Sequence, residues 1–235
     1  MSRIREQLSG ILDRIGAACV VAGRDPGSVS LVAVSKTFPA EDIREAAAAG
    51  QRAFGESRLQ EAEPKIGELS GGLEWHFIGR VQRNKVRKIL TLFQYVHAVD
   101  SLRLAAYVDG VAAELGLRPK VFLQVDQAGE ESKGGFSIAG LSVDFPKLIG
   151  LANLDIVGLM SIPPATVAAE DSRHWFRGLR ELRDELEAHF SAKLPFLSMG
   201  MSGDFEVAVQ EGATHVRVGS AIFGKRDYRV GGELG

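Results

Sequence analysis

A chain of 235 residues and 25.3 kDa, 25% of them charged and 45% hydrophobic, has the material for one sizeable core. Its formal net charge of −2 gives no electrostatic reason to expect nucleic acid or an acidic membrane as the main partner. One cysteine, Cys19, excludes an intramolecular disulfide, and no apolar run reaches the roughly 18 residues of a helical membrane span.

Residues 2 to about 22 carry Ile4, Leu8, Ile11, Leu12 and Ile15 at helical spacing, with Gly23 and Pro26 as stop signals. This predicts a helix ahead of the first strand, with Cys19 packed on it. The N-terminus lacks the apolar core of a signal peptide, so a cytoplasmic protein is expected. Leu31-Val32-Ala33-Val34-Ser35-Lys36 follows. Its apolar residues read as a short strand buried on both sides, with Lys36 at its end and Thr37-Phe38-Pro39 stopping it. A helix is expected at 39–49, opened by Pro39 and closed by Gly50.

The alternation then repeats. Strand-like runs occur at Arg52–Gly55, Trp75–Gly79, Tyr95–Val99, Val121–Val125, Ile156–Ile162, Phe196–Met199 and Val216–Gly219. Helical stretches separate them at about 57–69, 83–92, 101–115, 142–151, 172–191 and 203–212. Ala105, Val108, Ala112 and Leu115 form one apolar stripe, and Trp175, Leu179, Leu182, Leu186 and Phe190 another. No hinge or low-complexity tract interrupts the pattern, so residues 1–235 read as a single domain. Eight alternating units with right-handed crossovers predict a single (β/α)8 TIM barrel with an extra N-terminal helix. An open doubly wound sheet is the alternative, and no G-x-G-x-x-G motif supports a dinucleotide fold.

Active sites of such barrels lie at the C-terminal ends of the strands. Lys36, Glu56, Ser57, His76, Asp126, Met160 and Ser161 stand at or near those ends. The last two strands end in Leu197-Ser198-Met199-Gly200-Met201-Ser202-Gly203-Asp204 and Val216-Arg217-Val218-Gly219-Ser220-Ala221-Ile222-Phe223-Gly224. Glycines and free amides in these loops suit an anion, and the loops after strands seven and eight are the usual phosphate site of this barrel. Taken alone, Lys36 is a snorkelling lysine and each loop is ordinary turn chemistry. Together they describe a lysine amine and a phosphate cradle, a site for a phosphorylated carbonyl compound. Two ligands fit that description: pyridoxal 5'-phosphate or a sugar-phosphate aldehyde.

Val34-Ser35-Lys36, Phe54-Gly55-Glu56, His76-Phe77-Ile78-Gly79 with Gln82 and Asn84-Lys85, Gly158-Leu159-Met160, Leu197 to Ser202 and Arg217 to Gly224 closely resemble the pyridoxal phosphate homeostasis (YggS/PROSC) family. The resemblance runs from the first strand almost to the C-terminus. It implies the barrel of alanine racemase-like enzymes without their second domain. It also implies pyridoxal phosphate held as an aldimine of Lys36, and a role in buffering or delivering that cofactor with no robust catalytic activity. Carried over by motif, it places Ser202, Gly203, Gly219 and Ser220 around the phosphate. Arg217 falls near the phosphate or the ring nitrogen, with His76 and Met199 completing the expected cofactor-binding set. Apo enzymes that need the cofactor become candidate partners, and a monomer is expected. Ser57, Asp126 and Ser220 depart from the family's usual Asn, Asn and Thr. Only Ser220 keeps the corresponding hydroxyl, so contacts from the other two positions are in doubt.

An amino-acid racemase or a Schiff-base aldolase is the competing class. A racemase needs an acid on the face opposite the lysine, and the tyrosines to supply it are Tyr95, Tyr107 and Tyr228. The basic run from Arg80 to Lys88 reads as a solvated helix face, since a nucleic-acid patch would interleave aromatics. The polar stretch from Pro163 to Asp171 is long for a strand-to-helix loop, as a lid or merely a mobile loop.

Overall fold

The structure, a computed structural model, describes residues 2–69, 71–130 and 134–224. Eight parallel strands close in sequential order into a barrel, β1 pairing with both β2 and β8. They are β1 Ser30–Val34, β2 Ala53–Glu56, β3 Glu74–Phe77, β4 Tyr95–Val99, β5 Lys120–Val125, β6 Asp155–Ser161, β7 Phe196–Met201 and β8 His215–Val218. The helices are α1 Arg3–Val21, α2 Ala40–Ala48, α3 Leu59–Glu68, α4 Val86–Leu92, α5 Leu102–Leu115, α6 Ile138–Ile149, α7 Arg173–Phe190, α8 Phe205–Gln210 and α9 Ser220–Phe223. The expected (β/α)8 barrel is therefore the observed one, and the open sheet is excluded.

Burial on both faces explains why the strands read as nearly continuous apolar runs. Their outward residues pack beneath helices whose apolar stripes supply the outer core, such as Phe176, Leu179, Leu182 and Leu186 on α7. The α1 helix buries Ile4, Leu8, Ile11, Ile15 and Cys19 and packs against α2, α8 and α9. Cys19 is fully buried and burial raises its thiol pKa, as expected of a packing residue rather than a reactive one.

Some expected boundaries move. Lys36 is not the last residue of its strand: β1 ends at Val34, and Ser35 makes one more bond, its amide donating to the Gly55 carbonyl at 3.0 Å. The α6 helix starts at Ile138, ahead of the expected 142, because the Ser137 hydroxyl accepts from the Gly140 amide and caps it. The short α9, directly after β8, has no counterpart in the sequence reading. Among the described residues no helix is long and apolar enough to cross a membrane.

The basic run is a paired surface. Arg83 stacks over Tyr107 at 4.3 Å, Arg87 meets Glu114, and Lys88 meets Glu63 at 2.6 Å. The loop after β6 is tied to itself: Thr166 Oγ1 lies 3.0 Å from Ser172 Oγ, and the Ala168 amide donates to Asp171.

Candidate functional site

At the C-terminal mouth of the barrel lies a cleft of about 340 Å³ lined by Val34, Lys36, Phe38, Ile78, Ile162, Met201, Ser202, Gly203, Arg217, Gly219, Ser220 and Gly224. That volume falls in the lower part of the usual small-ligand range. Alternation along β1 explains how Lys36 arrives there. Val34 lines the cleft, and two residues on the chain returns to the same side.

The turn that follows is tightly held. Thr37 has φ of +71°, a costly conformation for a β-branched residue. Its amide donates to Glu61 Oε2 at 3.1 Å, and the Phe38 amide closes the turn on the Ser35 carbonyl at 3.1 Å. Beneath the turn lies a buried ion pair, Lys65 Nζ to Glu56 Oε1 at 2.9 Å. Ser35 Oγ also donates to that carboxylate, at 2.8 Å. Burial raises the Glu56 pKa, and the Lys65 charge opposes the shift.

Beside this turn, because β8 pairs with β1 and β7 with β8, the loops after β7 and β8 meet. The Gly219 amide donates to Ser202 Oγ at 3.3 Å, placing two hydroxyls (Ser202 and Ser220) and two glycines (Gly203 and Gly219) along one side. A Cβ on Gly219 would stand 3.1 Å from the Val34 carbonyl oxygen, so a glycine keeps this edge of the cleft open.

Arg217 forms the floor. Its Nη1 donates to Ser198 Oγ at 2.5 Å and its Nη2 to the Ser161 carbonyl at 3.0 Å. Burial pulls the guanidinium down to about 10, so it remains a cation at neutral pH. Lys36 and Arg217 are the two ionisable side chains among the described residues that line this cleft.

A family model described as "Alanine racemase, N-terminal domain" matches residues 20–227. Two relatives called pyridoxal phosphate homeostasis protein match nearly end to end. The one from Aquifex aeolicus is 45% identical over 95% of this chain and 98% of its own. The one from Pseudomonas aeruginosa is 47% identical over 97% and 98%. The chain belongs to this family. Among solved structures, PipY of Synechococcus elongatus, described with PLP bound, superimposes with a TM-score of 0.84 at 42% identity. It covers 94% of this chain, which in turn spans all of it. An alanine racemase from Clostridium difficile shares the fold at a TM-score of 0.72 and 15% identity, and 58% of that chain is covered.

For this family member, Lys36, Ser202, Gly203, Arg217, Gly219 and Ser220 all line the cleft. His76 does not. It faces into the barrel two residues below Ile78, which takes the position at the mouth. It is fully buried, bonded to Glu74 and His97, and stacked on Tyr95 at 4.4 Å. Met199 lies fully buried in the hydrophobic core and also misses the cleft. Gly200, at φ of +91°, breaks the alternation of β7 and turns Met201 to the cleft in its place.

Neither Tyr95 nor Tyr107 lines the cleft; Tyr95 fills the barrel interior and Tyr107 lies on α5, while Tyr228 is outside the described residues. Asp126 caps its own loop, accepting from the Ala128 and Glu130 amides. Sequence reasoning passed over Ser198, quoted only as part of a motif, and His97, which shares the inward face of β4 with Tyr95. Inward alternation along a barrel strand was the signal that marked both.

Proposed function

We propose that this chain binds pyridoxal 5'-phosphate covalently through Lys36 and serves to buffer the cofactor or deliver it to apo enzymes in the cytoplasm. One observation carries this reading: the Lys36 amine and the Ser202–Gly219 edge line a single cleft of small-ligand size.

The fit rests on the donor set. An amine is present to meet an aldehyde. Hydroxyls and glycine backbone stand where a phosphate can be approached closely. A cation, Arg217, is fixed at the floor by two hydrogen bonds, to Ser198 Oγ and the Ser161 carbonyl. When bound, the cofactor supplies an aldehyde that condenses reversibly with amines. The chain's own residues do the rest. The Lys65–Glu56 pair holds the turn that presents Lys36, Ser202 and Ser220 accept or donate at the phosphate end, and Phe38, Ile78 and Ile162 wall off water. The names of the relatives from Aquifex aeolicus and Pseudomonas aeruginosa, and PLP bound in PipY, support the same ligand.

The test is direct. The protein given pyridoxal phosphate should develop a visible absorption band, and borohydride should fix the cofactor on the peptide containing Lys36. The loaded protein, mixed with an apo enzyme that needs pyridoxal phosphate, should restore its activity. Labelling that persists in a Lys36→Ala variant would sink the assignment. Turnover of an amino acid at roughly 1 per second or faster would replace the carrier reading with an enzymatic one.

A further inference from the structure

A row of polar side chains threads the barrel interior, starting at the cleft and ending on the opposite face. Arg217 Nη1 donates to Ser198 Oγ. His97 Nδ1 lies 2.8 Å from that hydroxyl, and His97 Nε2 lies 2.9 Å from His76 Nδ1. His76 Nε2 then lies 2.9 Å from Glu74 Oε1. Ser198, His97 and His76 are wholly removed from water, whereas the Glu74 side chain is 41% exposed. Glu74 is the first residue of β3 and lines a hollow at the N-terminal face with Tyr95 and Lys120.

The chemistry of the two ends orders every hydrogen between them. A guanidinium has donors only, so Ser198 accepts from Arg217. A carboxylate has acceptors only, so His76 gives its Nε2 hydrogen to Glu74. Neutral His76 then offers Nδ1 as an acceptor, which His97 fills from its own Nε2. His97 Nδ1 is left to accept the Ser198 hydroxyl hydrogen. With both rings neutral, this arrangement uses all four contacts, and all four point the same way. Burial holds both imidazoles below their ordinary pKa, against the pull of Glu74 on His76. Tyr95 stacked on His76, Lys120, His215 and, at the Arg217 end, Asp204 are the other charged or titratable groups around the row among the described residues.

We propose that Glu74 is a remote positioning residue for Arg217, acting through this one-way chain to set how the guanidinium meets the ring of a ligand held at Lys36. Only the last step rests on the pyridoxal phosphate reading; the chain itself stands without it.

The experiment uses the full chain labelled with 15N-histidine and 15N-arginine, first without cofactor. Long-range 1H–15N spectra should show His76 and His97 each as a single tautomer protonated at Nε2. Glu74→Ala should mix the His76 tautomers and move the Arg217 side-chain resonances, and Glu74→Gln, which keeps an acceptor oxygen, should restore both. Ser198→Ala cuts the chain at its other end. It should move Arg217 alike while leaving the His76 tautomer intact. After loading with pyridoxal phosphate, Glu74→Ala should shift the visible band and weaken binding by roughly tenfold, the worth of one good contact, with Glu74→Gln close to wild type. A wild-type His97 protonated at Nδ1 overturns the proposal. So does a Glu74→Ala protein with unmoved Arg217 resonances and an unmoved band. Should the wild type take up no pyridoxal phosphate, the ligand reading fails, and the tautomers and Arg217 resonances still decide the chain.

Discussion

The Lys65 ammonium donates to the Ser35 carbonyl at 3.0 Å, so helix α3 grips the peptide unit that joins Ser35 to Lys36. The same ammonium pairs with Glu56, whose side chain is completely buried. Presentation of Lys36 thus depends on a lysine 29 positions later in the chain. Removing one member of a buried pair strands the other's charge, at a cost of about 3 kcal/mol or more. Lys65→Met should therefore destabilise the fold by about that amount in urea denaturation and slow the capture of pyridoxal phosphate. The double variant Lys65→Met with Glu56→Gln should recover most of the lost stability. A loss below about 1 kcal/mol for Lys65→Met would show that water already screens the pair.

Gly219 is required for space rather than for backbone conformation, since its φ is −121°. A methyl there would press on the Val34 carbonyl at 3.1 Å and on Val34 Cβ at 3.2 Å, forcing small shifts at the edge that bonds Ser202. Gly219→Ala should leave the fold within about 1 kcal/mol of wild type while weakening pyridoxal phosphate by roughly tenfold or more. Pyridoxal, which lacks the phosphate, should be much less affected. Equal losses for the two ligands in a titration would remove Gly219 and Ser202 from the phosphate end.

The barrel was legible because parallel strands buried on both faces appear as apolar runs, and eight of them alternate with helices. The mouth was legible too, since Lys36, Ser202 and Ser220 stand beside strand ends that the runs mark. Boundaries were harder. The helix expected at 142–151 starts at Ile138, because the Ser137 cap that opens it was not read as one. The four residues of α9 are too few to show a period. His76 was placed at the mouth because its motif lies near a strand end, yet the inward row has one more position, Ile78, above it. Inward alternation marks the members of the interior chain but not their connection: two of its contacts join residues 21 and 101 positions apart and exist only once the barrel closes.

Close strand packing gives a sharper test of the fold. A Cβ on Gly158 would fall on the Phe196 carbonyl, and one on Gly79 on the Ser57 carbonyl. Neither backbone can yield without parting neighbouring chain. Gly158→Ala should break the pairing of Gly158 with Phe196 in β6 and β7 and cost about 4 kcal/mol or more. Gly16→Ala on α1, where nothing lies within 4 Å, should stabilise slightly, by about 0.5–1 kcal/mol. Similar denaturation midpoints for the two variants would contradict the observed register.

The three interior histidines make stability depend on pH. His76, His97 and His215 are held below the ordinary imidazole value, chiefly by burial, His215 down to about 3. A depressed folded-state pKa means that the unfolded chain takes up a proton that the folded barrel refuses. The stability is therefore fully present above the ordinary value of 6.5 and is lost as pH falls from there toward the folded values. Each histidine adds a slope of roughly 1 kcal/mol per pH unit in that window. Glu56 works in the opposite sense: its raised pKa lets the folded chain take up a proton ahead of the unfolded one as pH falls, a gain that is complete once pH reaches the ordinary 4.5. Between pH 7.5 and 5.5 the histidines should dominate, and the urea midpoint should drop steadily below pH 6.5. His215→Phe, set among Phe122 and Phe196, should lessen the drop by one proton's worth. Equal midpoints at pH 7.5 and 5.5 in the wild type would mean that the interior rings take up protons in the folded barrel.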